Sequence, residues 1–176
     1  MQFVPRRRTS AKRVLITGAN SGFGKAMAMH FGRNGWRVAV TGRRSDAVRA
    51  AAEDVRNVGA AEVLEMMIDV SKSDDFEAAA RRVEAQWGGL DVLVNNAGIM
   101  DSARLHEITL EQWHRIVDIN FWGVVYGCHP FVPMLIRQKG GHVSATLRSL
   151  DKDQQTGRHT SESVAAHAIR SMERSH

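Results

Sequence analysis

The stretch Thr17-Gly18-Ala19-Asn20-Ser21-Gly22-Phe23-Gly24 decides the fold of this chain. It follows an apolar run at residues 13–17, which predicts a buried strand, and it precedes residues 25–34, whose apolar positions recur at helical spacing. Glycines between a strand and a helix leave the backbone bare where a phosphate can approach the free amides and positive dipole end of the helix. The stretch therefore predicts a nucleotide-binding turn, with a plain tight turn as the alternative.

The composition is typical of one globular domain. The chain has 176 residues, of which 43% are hydrophobic, and a single cysteine, Cys128, so that no intrachain disulfide can form. A reducing, cytoplasmic location is therefore expected. No apolar run looks long enough to span a membrane. Residues 1–11 are basic and lack an apolar segment, so a disordered leader is expected rather than a secretory signal, with an organelle transit peptide as the alternative.

The positive charge is concentrated around the glycine turn. The net charge is +5, and residues 1–45 contain ten Lys or Arg but no Asp or Glu. A polyphosphate would be attracted to this region. Nucleic acid is the competing partner, but the sequence contains no nucleic-acid-binding module, so it is not favoured. The histidines His159, His167 and His176 lack the spacing of metal ligands, and no metal site is predicted.

Strand-like and helix-like segments alternate along the rest of the chain. Further strands are predicted at residues 36–41, 62–70 and 91–95, and another begins at 142. Helices are predicted at residues 45–58 with Ser45 as cap, at 73–87, and at 109–129, where Thr109 and Gln112 match a capping box and Pro130 disturbs the end. This alternation predicts an α/β fold with a doubly wound parallel sheet of about five strands, covered by helices on both faces.

A sheet of this kind binds its ligand beyond the carboxyl ends of the strands, where the strand order reverses. The glycine turn, Arg43, the pair Asp69-Val70 and the run Asn95-Asn96-Ala97-Gly98 each follow a predicted strand directly. We therefore expect these segments to meet at one edge of the sheet and to form one site.

The pattern Thr17-Gly18-x-x-x-Gly22-x-Gly24, Asp69, Asn95-Asn96-Ala97-Gly98 and Asn120 resembles the short-chain dehydrogenases/reductases in order and spacing, over about residues 12–143. The resemblance implies a Rossmann-like fold and an NAD(P)-dependent oxidoreductase that acts on alcohol or ketone groups. It also implies the following cofactor-binding residues: Thr17, Gly18, Asn20, Ser21, Gly22, Phe23, Gly24, Arg43, Asp69, Val70, Asn95, Ala97 and Gly98.

The resemblance assigns a role to each group. The glycines shape the loop under the pyrophosphate, Asp69 and Val70 border the adenine, and the residues around Asn95 line the path to the nicotinamide ribose. Asn120 corresponds to a helix asparagine that holds a water molecule in the proton relay, and it is a catalytic candidate. The alternatives are that Asp69 caps a helix and that Asn120 is a polar residue paired within its helix.

The residues after the second strand bear on the choice of cofactor. Enzymes that choose NAD commonly carry an acidic residue there, which holds the ribose 2′-hydroxyl. Here Gly42 occupies that place, followed by Arg43 and Arg44. Arginine can pair with the 2′-phosphate of NADP through charge-assisted hydrogen bonds, so NADP is expected, with NAD as the alternative. A solvated surface arginine is the competing interpretation of Arg43.

The family resemblance is lost after residue 143. The family carries a serine and a Tyr-x-x-x-Lys pair after the fifth strand, but the only tyrosine here is Tyr126, which is followed four places later by Pro130. Ser149 is the nearest candidate for the serine and lies out of register. The tail at residues 144–176 has few large apolar residues, and low order is expected there.

The expectation from these departures is a truncated family member whose C-terminal half was replaced, for example by a frameshift, an alternative splice or a misplaced gene end. Catalysis by such a chain would be impaired. The alternatives are a non-catalytic dinucleotide-binding or interaction protein and an unstable fragment. The helix at 109–129 would lose part of its cover, so association of copies through that helix is expected.

Overall fold

The computed structural model describes residues 11–100 and 105–146, which build a parallel sheet with the order β3-β2-β1-β4-β5. The strands are β1 (Arg13–Ile16), β2 (Arg37–Gly42), β3 (Glu62–Met67), β4 (Val92–Asn95) and β5 (His142–Ala145). The helices are α1 (Gly22–Arg33), α2 (Ser45–Asn57), α3 (Ser73–Trp87), α4 (Leu110–Val117) and α5 (Gly123–Arg137), with a 3₁₀ turn at Leu105–Glu107 and a π-helical segment at Asp118–Trp122. The predicted doubly wound α/β fold is confirmed, and the strand order reverses between β1 and β4.

Two apolar cores lie on the two faces of the sheet. Successive side chains of a strand point to opposite faces, so Leu15 of β1 belongs to the core with Phe76 of α3 and Phe131 of α5. Val14 and Ile16 belong to the other core, with residues of α1 and α2. A strand that is buried on both faces explains the unbroken apolar run before the glycine turn. It also fixes the position from which that turn starts.

Several element boundaries differ from the prediction. Helix α1 begins at Gly22 rather than at residue 25, so the end of the glycine stretch is already helical. Ser45 is the first residue of α2 and Arg44 holds the cap position, without a side-chain hydrogen bond. Strand β5 continues to Ala145, past the predicted change of character at Ser144, because it pairs in register with β4. Residues 1–10 of the predicted leader and residues 147–176 of the predicted tail fall outside the described residues.

The last helices form one continuous run. The predicted capping box is confirmed: the Gln112 amide donates to Thr109 Oγ1 at 3.2 Å, and the Thr109 amide donates to Gln112 Oε1 at 2.8 Å. The predicted end near Pro130 is wrong, because α5 contains both Pro130 and Pro133 and ends at Arg137. An interior proline costs about 3 kcal/mol, and burial of the apolar residues around both prolines against the sheet offsets that cost.

The helical run Leu110–Arg137 corrects the expectation that no segment reaches the length of a membrane span. It has 28 residues, and its most apolar window has a mean hydropathy of 1.2. By length and composition alone, this run is therefore long and apolar enough to cross a membrane. The core helix of a globular domain passes the same test. Here the second half of the run contacts α3, β4 and β5, which is the arrangement of a helix that covers a sheet.

Candidate functional site

The glycine turn connects the end of β1 to α1 in a conformation that needs its glycines. Gly18 has a φ of +66°, in the left-handed region that side chains rarely adopt. Gly24 lies in α1 against the turn, and a β-carbon at that position would overlap the Gly18 carbonyl oxygen. The Ala19 amide donates to the Thr41 carbonyl at 2.9 Å, which ties the turn to β2. The turn is therefore tightly folded, and its bare backbone faces the carboxyl edge of the sheet.

Thr17 holds the turn against the loop after β4. Its side chain is 1% exposed, and its hydroxyl accepts hydrogen bonds from the amides of Asn96 and Ala97, each at 2.9 Å. The Asn96 side-chain amide also donates a hydrogen bond to the Thr17 carbonyl, at 2.9 Å. These bonds join residues about 80 positions apart at the point where the strand order reverses. Thr17 therefore acts by positioning two walls of the site and does not line it.

A cleft of about 340 Å³ lies at this edge, within the range of small ligand sites. Most predicted cofactor-binding residues line it: Gly18, Asn20, Ser21, Gly22, Arg43, Asp69, Val70, Ala97 and Gly98. The remaining predicted residues do not line the cleft: Thr17, Gly24 and Asn95 are buried, and Phe23 is partly buried against the core of α1 and α2. Lining residues absent from the predicted set are Gly42, Arg44, Ile68, Asn96, Ile99 and Ile119. All of these except Ile119 adjoin predicted residues at strand ends. Their position next to a strand end is therefore the sequence signal that could have identified them.

Asp69 brings a carboxylate to the cleft. Its Oδ1 accepts hydrogen bonds from the Ser71 amide at 3.1 Å and the Ser71 hydroxyl at 2.8 Å. Burial disfavours the charged form, but the bonds from Ser71 and the charges of Arg43 and Lys72 outweigh it, so the pKa of Asp69 lies below its usual value. Helix α3 begins at Ser73 with Lys72 at the cap position, so Asp69 forms a turn with Ser71 and does not cap the helix.

Asn95 lies behind the cleft, between β4 and α5. Its side-chain amide donates to Cys128 Sγ at 3.6 Å, and its Oδ1 lies against Gly127, where a side chain would collide with it. Among the described residues, no group donates to that buried oxygen. Burial raises the pKa of the Cys128 thiol, although the bond from Asn95 opposes the shift. Asn95 therefore packs α5 closely onto the central strand.

Two side-chain amides fasten the long helical run at the two ends of β4. Asn120, in the π-helical segment, accepts from the Ile99 amide and donates to the Ile99 carbonyl, both at 2.8 Å. Gln138, just after α5, makes the equivalent pair with Leu90, at 2.9 and 2.6 Å. Asn120 is thus paired across to the cleft wall rather than within its helix. The water molecule that the family resemblance assigns to Asn120 stays a prediction.

Arg43 extends from the end of β2 at the rim of the cleft. It is exposed and makes no hydrogen bond or ion pair within residues 11–100 and 105–146, and its charge acts on Asp69. Arg44 follows on the same rim. Two arginines beside the glycine turn, neither in an ion pair with another described residue, make this end of the cleft suitable for an anionic group.

The described residues do not bring a proton donor of the expected kind into the cleft. Tyr126 stacks on Trp122 with ring centroids 5.7 Å apart, packs against the core of α3 and α5, and is not among the lining residues. Ser149 lies outside the described residues. The described part of the chain also contains no cluster of His, Cys, Asp or Glu that could hold a metal ion.

Comparison with known proteins assigns this arrangement to a family. The chain is 36% identical over 132 residues to 11-beta-hydroxysteroid dehydrogenase A of Sesamum indicum, which covers 74% of this chain and 38% of that protein. It is 34% identical over 131 residues to the NADP-dependent 3-hydroxy acid dehydrogenase YdfG of Salmonella typhi, covering 74% of this chain and 51% of the relative. The chain thus spans about half, or less, of the length of these curated relatives.

Solved structures agree with the sequence comparison. A metagenomic short-chain oxidoreductase, solved in complex with NADP, superposes with a TM-score of 0.71 at 33% identity, over 77% of this chain and 62% of that one. The family model described as short chain dehydrogenase matches residues 12–152, which extends past the predicted limit at 143. With a glycine turn at the strand-order reversal, a cleft at that edge and this match over most of its length, the chain belongs to the short-chain dehydrogenase family.

Proposed function

We propose that the chain is the cofactor-binding part of an oxidoreductase that prefers NADP and acts on alcohol or ketone groups. The observation that carries this proposal is the rim of the cleft at the end of β2, where Gly42 takes the place of an acidic residue and Arg43 is exposed, with no hydrogen bond or ion pair to another described residue. The NADP-dependent relative and the neighbour solved with NADP support the same choice.

The residues present fit a phosphorylated dinucleotide. The bare amides of the turn and the start of α1 would hold the pyrophosphate, since a helix N-terminus favours negative charge. Arg43, with Arg44 beside it, would bind the 2′-phosphate, and Asp69 and Val70 would border the adenine. Ala97 and Gly98 would line the path to the nicotinamide ribose. When bound, NADP supplies or accepts a hydride, and this chain's residues orient it.

We further propose that this chain binds the cofactor but turns over slowly or not at all. Its single tyrosine, Tyr126, is stacked within the helical run and has Pro130 four positions later. A general acid must lie within hydrogen-bond reach of the reacting oxygen, and no tyrosine meets that requirement within the cleft. NADPH binding without turnover on a panel of alcohols and ketones supports this proposal, and clear turnover would overturn it.

Substitution of Arg43 tests the cofactor preference. Arg43→Ala and Arg43→Asp remove the cation that would face the 2′-phosphate, and the aspartate also repels it. Loss of a charge-assisted hydrogen bond costs about 1.5–3 kcal/mol, so NADPH affinity should fall by roughly 10- to 100-fold for Arg43→Ala, and further for Arg43→Asp. NADH affinity should change little. Titration of both cofactors by intrinsic fluorescence measures the difference.

Arg33→Ala is the matched control, because Arg33 is an exposed arginine at the end of α1, away from the lining residues. It removes the same charge and should leave both affinities within about twofold, since distant exposed charges are screened. Equal losses of NADPH and NADH affinity in the Arg43 variants would contradict the proposal.

The association of copies, the substrate class and the cellular location of the chain are also proposals. Phe121, Trp122 and Val125 are exposed on one side of the long helical run, which supports association of copies through residues 109–129. A small-molecule substrate follows from the family if the site turns over. The cytoplasmic location stays a prediction from the single cysteine.

A further inference from the structure

Asn20 of the glycine turn lies directly over Gly42 at the end of β2. A β-carbon at position 42 would lie 2.6 Å from Asn20 Oδ1, 2.7 Å from Cγ and 3.1 Å from Cβ. Atoms this close overlap, and the overlap reaches the stem of the asparagine as well as its tip. Rotation of the terminal amide alone therefore cannot make room for a side chain at position 42.

The backbone at position 42 does not itself require glycine. Gly18 and Gly22 have positive φ values, whereas Gly42 is not among the glycines with positive φ. It sits in the last position of a regular strand, paired in register with Met67 of β3, where other residues are conformationally acceptable. The three heavy atoms nearest to a β-carbon at this position all belong to Asn20, so its side chain is the first obstacle that a larger residue would meet.

We propose that Asn20 and Gly42 form a coupled specificity pair, in which Asn20 occupies the space that an acidic side chain at position 42 would need in order to hold the ribose of NAD. This inference rests on the proposed cofactor function, since position 42 is where an acid would meet the ribose 2′-hydroxyl. In this chain the preference for NADP would come from the attraction of Arg43 for the phosphate, and Asn20 would add a steric cost to any replacement of Gly42 by a residue with a carboxylate.

The placement of Asn20 supports this role. Its side chain lines the cleft beside Gly42, Arg43 and Arg44, and within the part of the chain that the structure describes no residue forms a hydrogen bond with its amide. Discrimination by exclusion of the wrong group is as effective as attraction of the right one, because specificity is a difference between two affinities.

A stability cycle without cofactor tests the coupling by itself. Gly42→Ala places a methyl group against Asn20, and such overpacking should lower the Tm by about 2–10 °C. In the Asn20→Ala background the groups at 2.6 and 2.7 Å are gone, so the same substitution should cost much less. Gly140→Ala is the control, since nothing lies within 4 Å of a β-carbon there and it should be neutral in both backgrounds. If the effects of Gly42→Ala and Asn20→Ala on the Tm are additive, the two positions are not coupled and the inference is overturned.

Cofactor titrations then test the consequence for specificity. Gly42→Asp alone should weaken NADPH binding by roughly tenfold or more without a gain for NADH, whereas Gly42→Asp combined with Asn20→Ala should bind NADH roughly tenfold or more tightly than Gly42→Asp alone. Equal NADH affinity in the two variants would refute the inference. A wild-type chain without preference for NADPH would overturn the proposed function instead, and the stability cycle would still report on the coupling.

Discussion

The first half of the sheet and its last strand are covered very differently. The apolar residues of β1 and β2 are fully buried between two layers of helices, whereas β5 alternates between half-buried and exposed positions, with Val143 43% exposed. The long helical run beside β5 buries Phe131 and Met134 but exposes Phe121 and Ile136. The cleft side is thus buried by contacts within the described residues, whereas β5 and the outer face of the long helical run are only partly covered by them.

A pair of phenylalanines gives the largest expected contrast between these regions. Phe31 of α1 is 4% exposed, and its ring centroid lies 4.8 Å from that of Trp36, with the two rings tilted against each other. Phe121 is 58% exposed. Phe31→Ala should lower the free energy of unfolding by about 3–5 kcal/mol, because it leaves a cavity in the core. Phe121→Ala should change it by no more than about 0.5 kcal/mol. Urea unfolding of both variants measures the difference, and equal losses would abolish the contrast.

The side-chain amides of Asn120 and Gln138, which bond to the backbone beyond the two ends of β4, provide a second test of the comparison. Asn120→Ala and Gln138→Ala each remove both partners of a partly buried backbone unit, which should cost about 1–3 kcal/mol of stability. Only Ile99, the partner of Asn120, lines the cleft. We therefore expect NADPH affinity to fall for Asn120→Ala and to persist for Gln138→Ala, as measured by fluorescence titration below the melting temperature. Equal losses of affinity would show that Asn120 has no special relation to the site.

At the amino edge of the sheet, Arg13 of β1 forms an ion pair with Asp91, the residue before β4. Arg13 donates to Asp91 through its backbone amide at 2.7 Å and through two guanidinium nitrogens at 2.9 Å. Burial opposes ionisation, but the bonds and charge of Arg13 outweigh it and lower the pKa of Asp91 below its usual 3.8. Since the folded-state pKa is depressed, the contribution is present above about pH 4 and is lost as the pH falls through the lowered value.

Asp91→Asn should therefore flatten the acid limb of the stability profile below about pH 4 and lower stability modestly at neutral pH. Thermal melts between pH 3 and 7 measure this effect. Asp54→Asn, in a more exposed pair with Lys25, controls for loss of one carboxylate. An unchanged acid limb in Asp91→Asn would show that the ion pair does not contribute to the pH dependence.

The smallest effect on the stability of the isolated chain is expected at the exposed helix face. Trp122 stacks on Tyr126, and with Phe121 it forms an apolar surface on the long helical run. Trp122→Glu should leave the Tm of the isolated chain nearly unchanged but weaken association, because a charge would be buried between copies. Sedimentation velocity over a range of concentrations measures this, with Ile136→Glu as a control on an exposed apolar side chain outside 109–129. The same sedimentation behaviour for Trp122→Glu and wild type would contradict association through this face.

Local patterns were sufficient wherever one segment decides its own conformation. The strand, turn and helix around Gly18, the capping box at Thr109 and the start of α3 at Ser73 follow from periodicity and turn chemistry within a few residues. Pro130 was misjudged because its local cost is smaller than the packing of the whole helical run against the sheet. Strand β5 reaches Ala145 because the pairing with β4 continues where apolar character does not.

The sequence by itself determined that this chain builds a parallel sheet with a glycine turn between its first strand and first helix, since the glycines, the buried strands and the helix periods are local properties. Only the tertiary structure decided which residues meet: the Thr17 hydroxyl with the Asn96 amide, Asn120 with Ile99, and Asn20 with Gly42. These contacts join residues from about 20 to 80 positions apart, and no local propensity encodes them. These residues meet because the strand order brings segments that are distant in the sequence to one edge of the sheet.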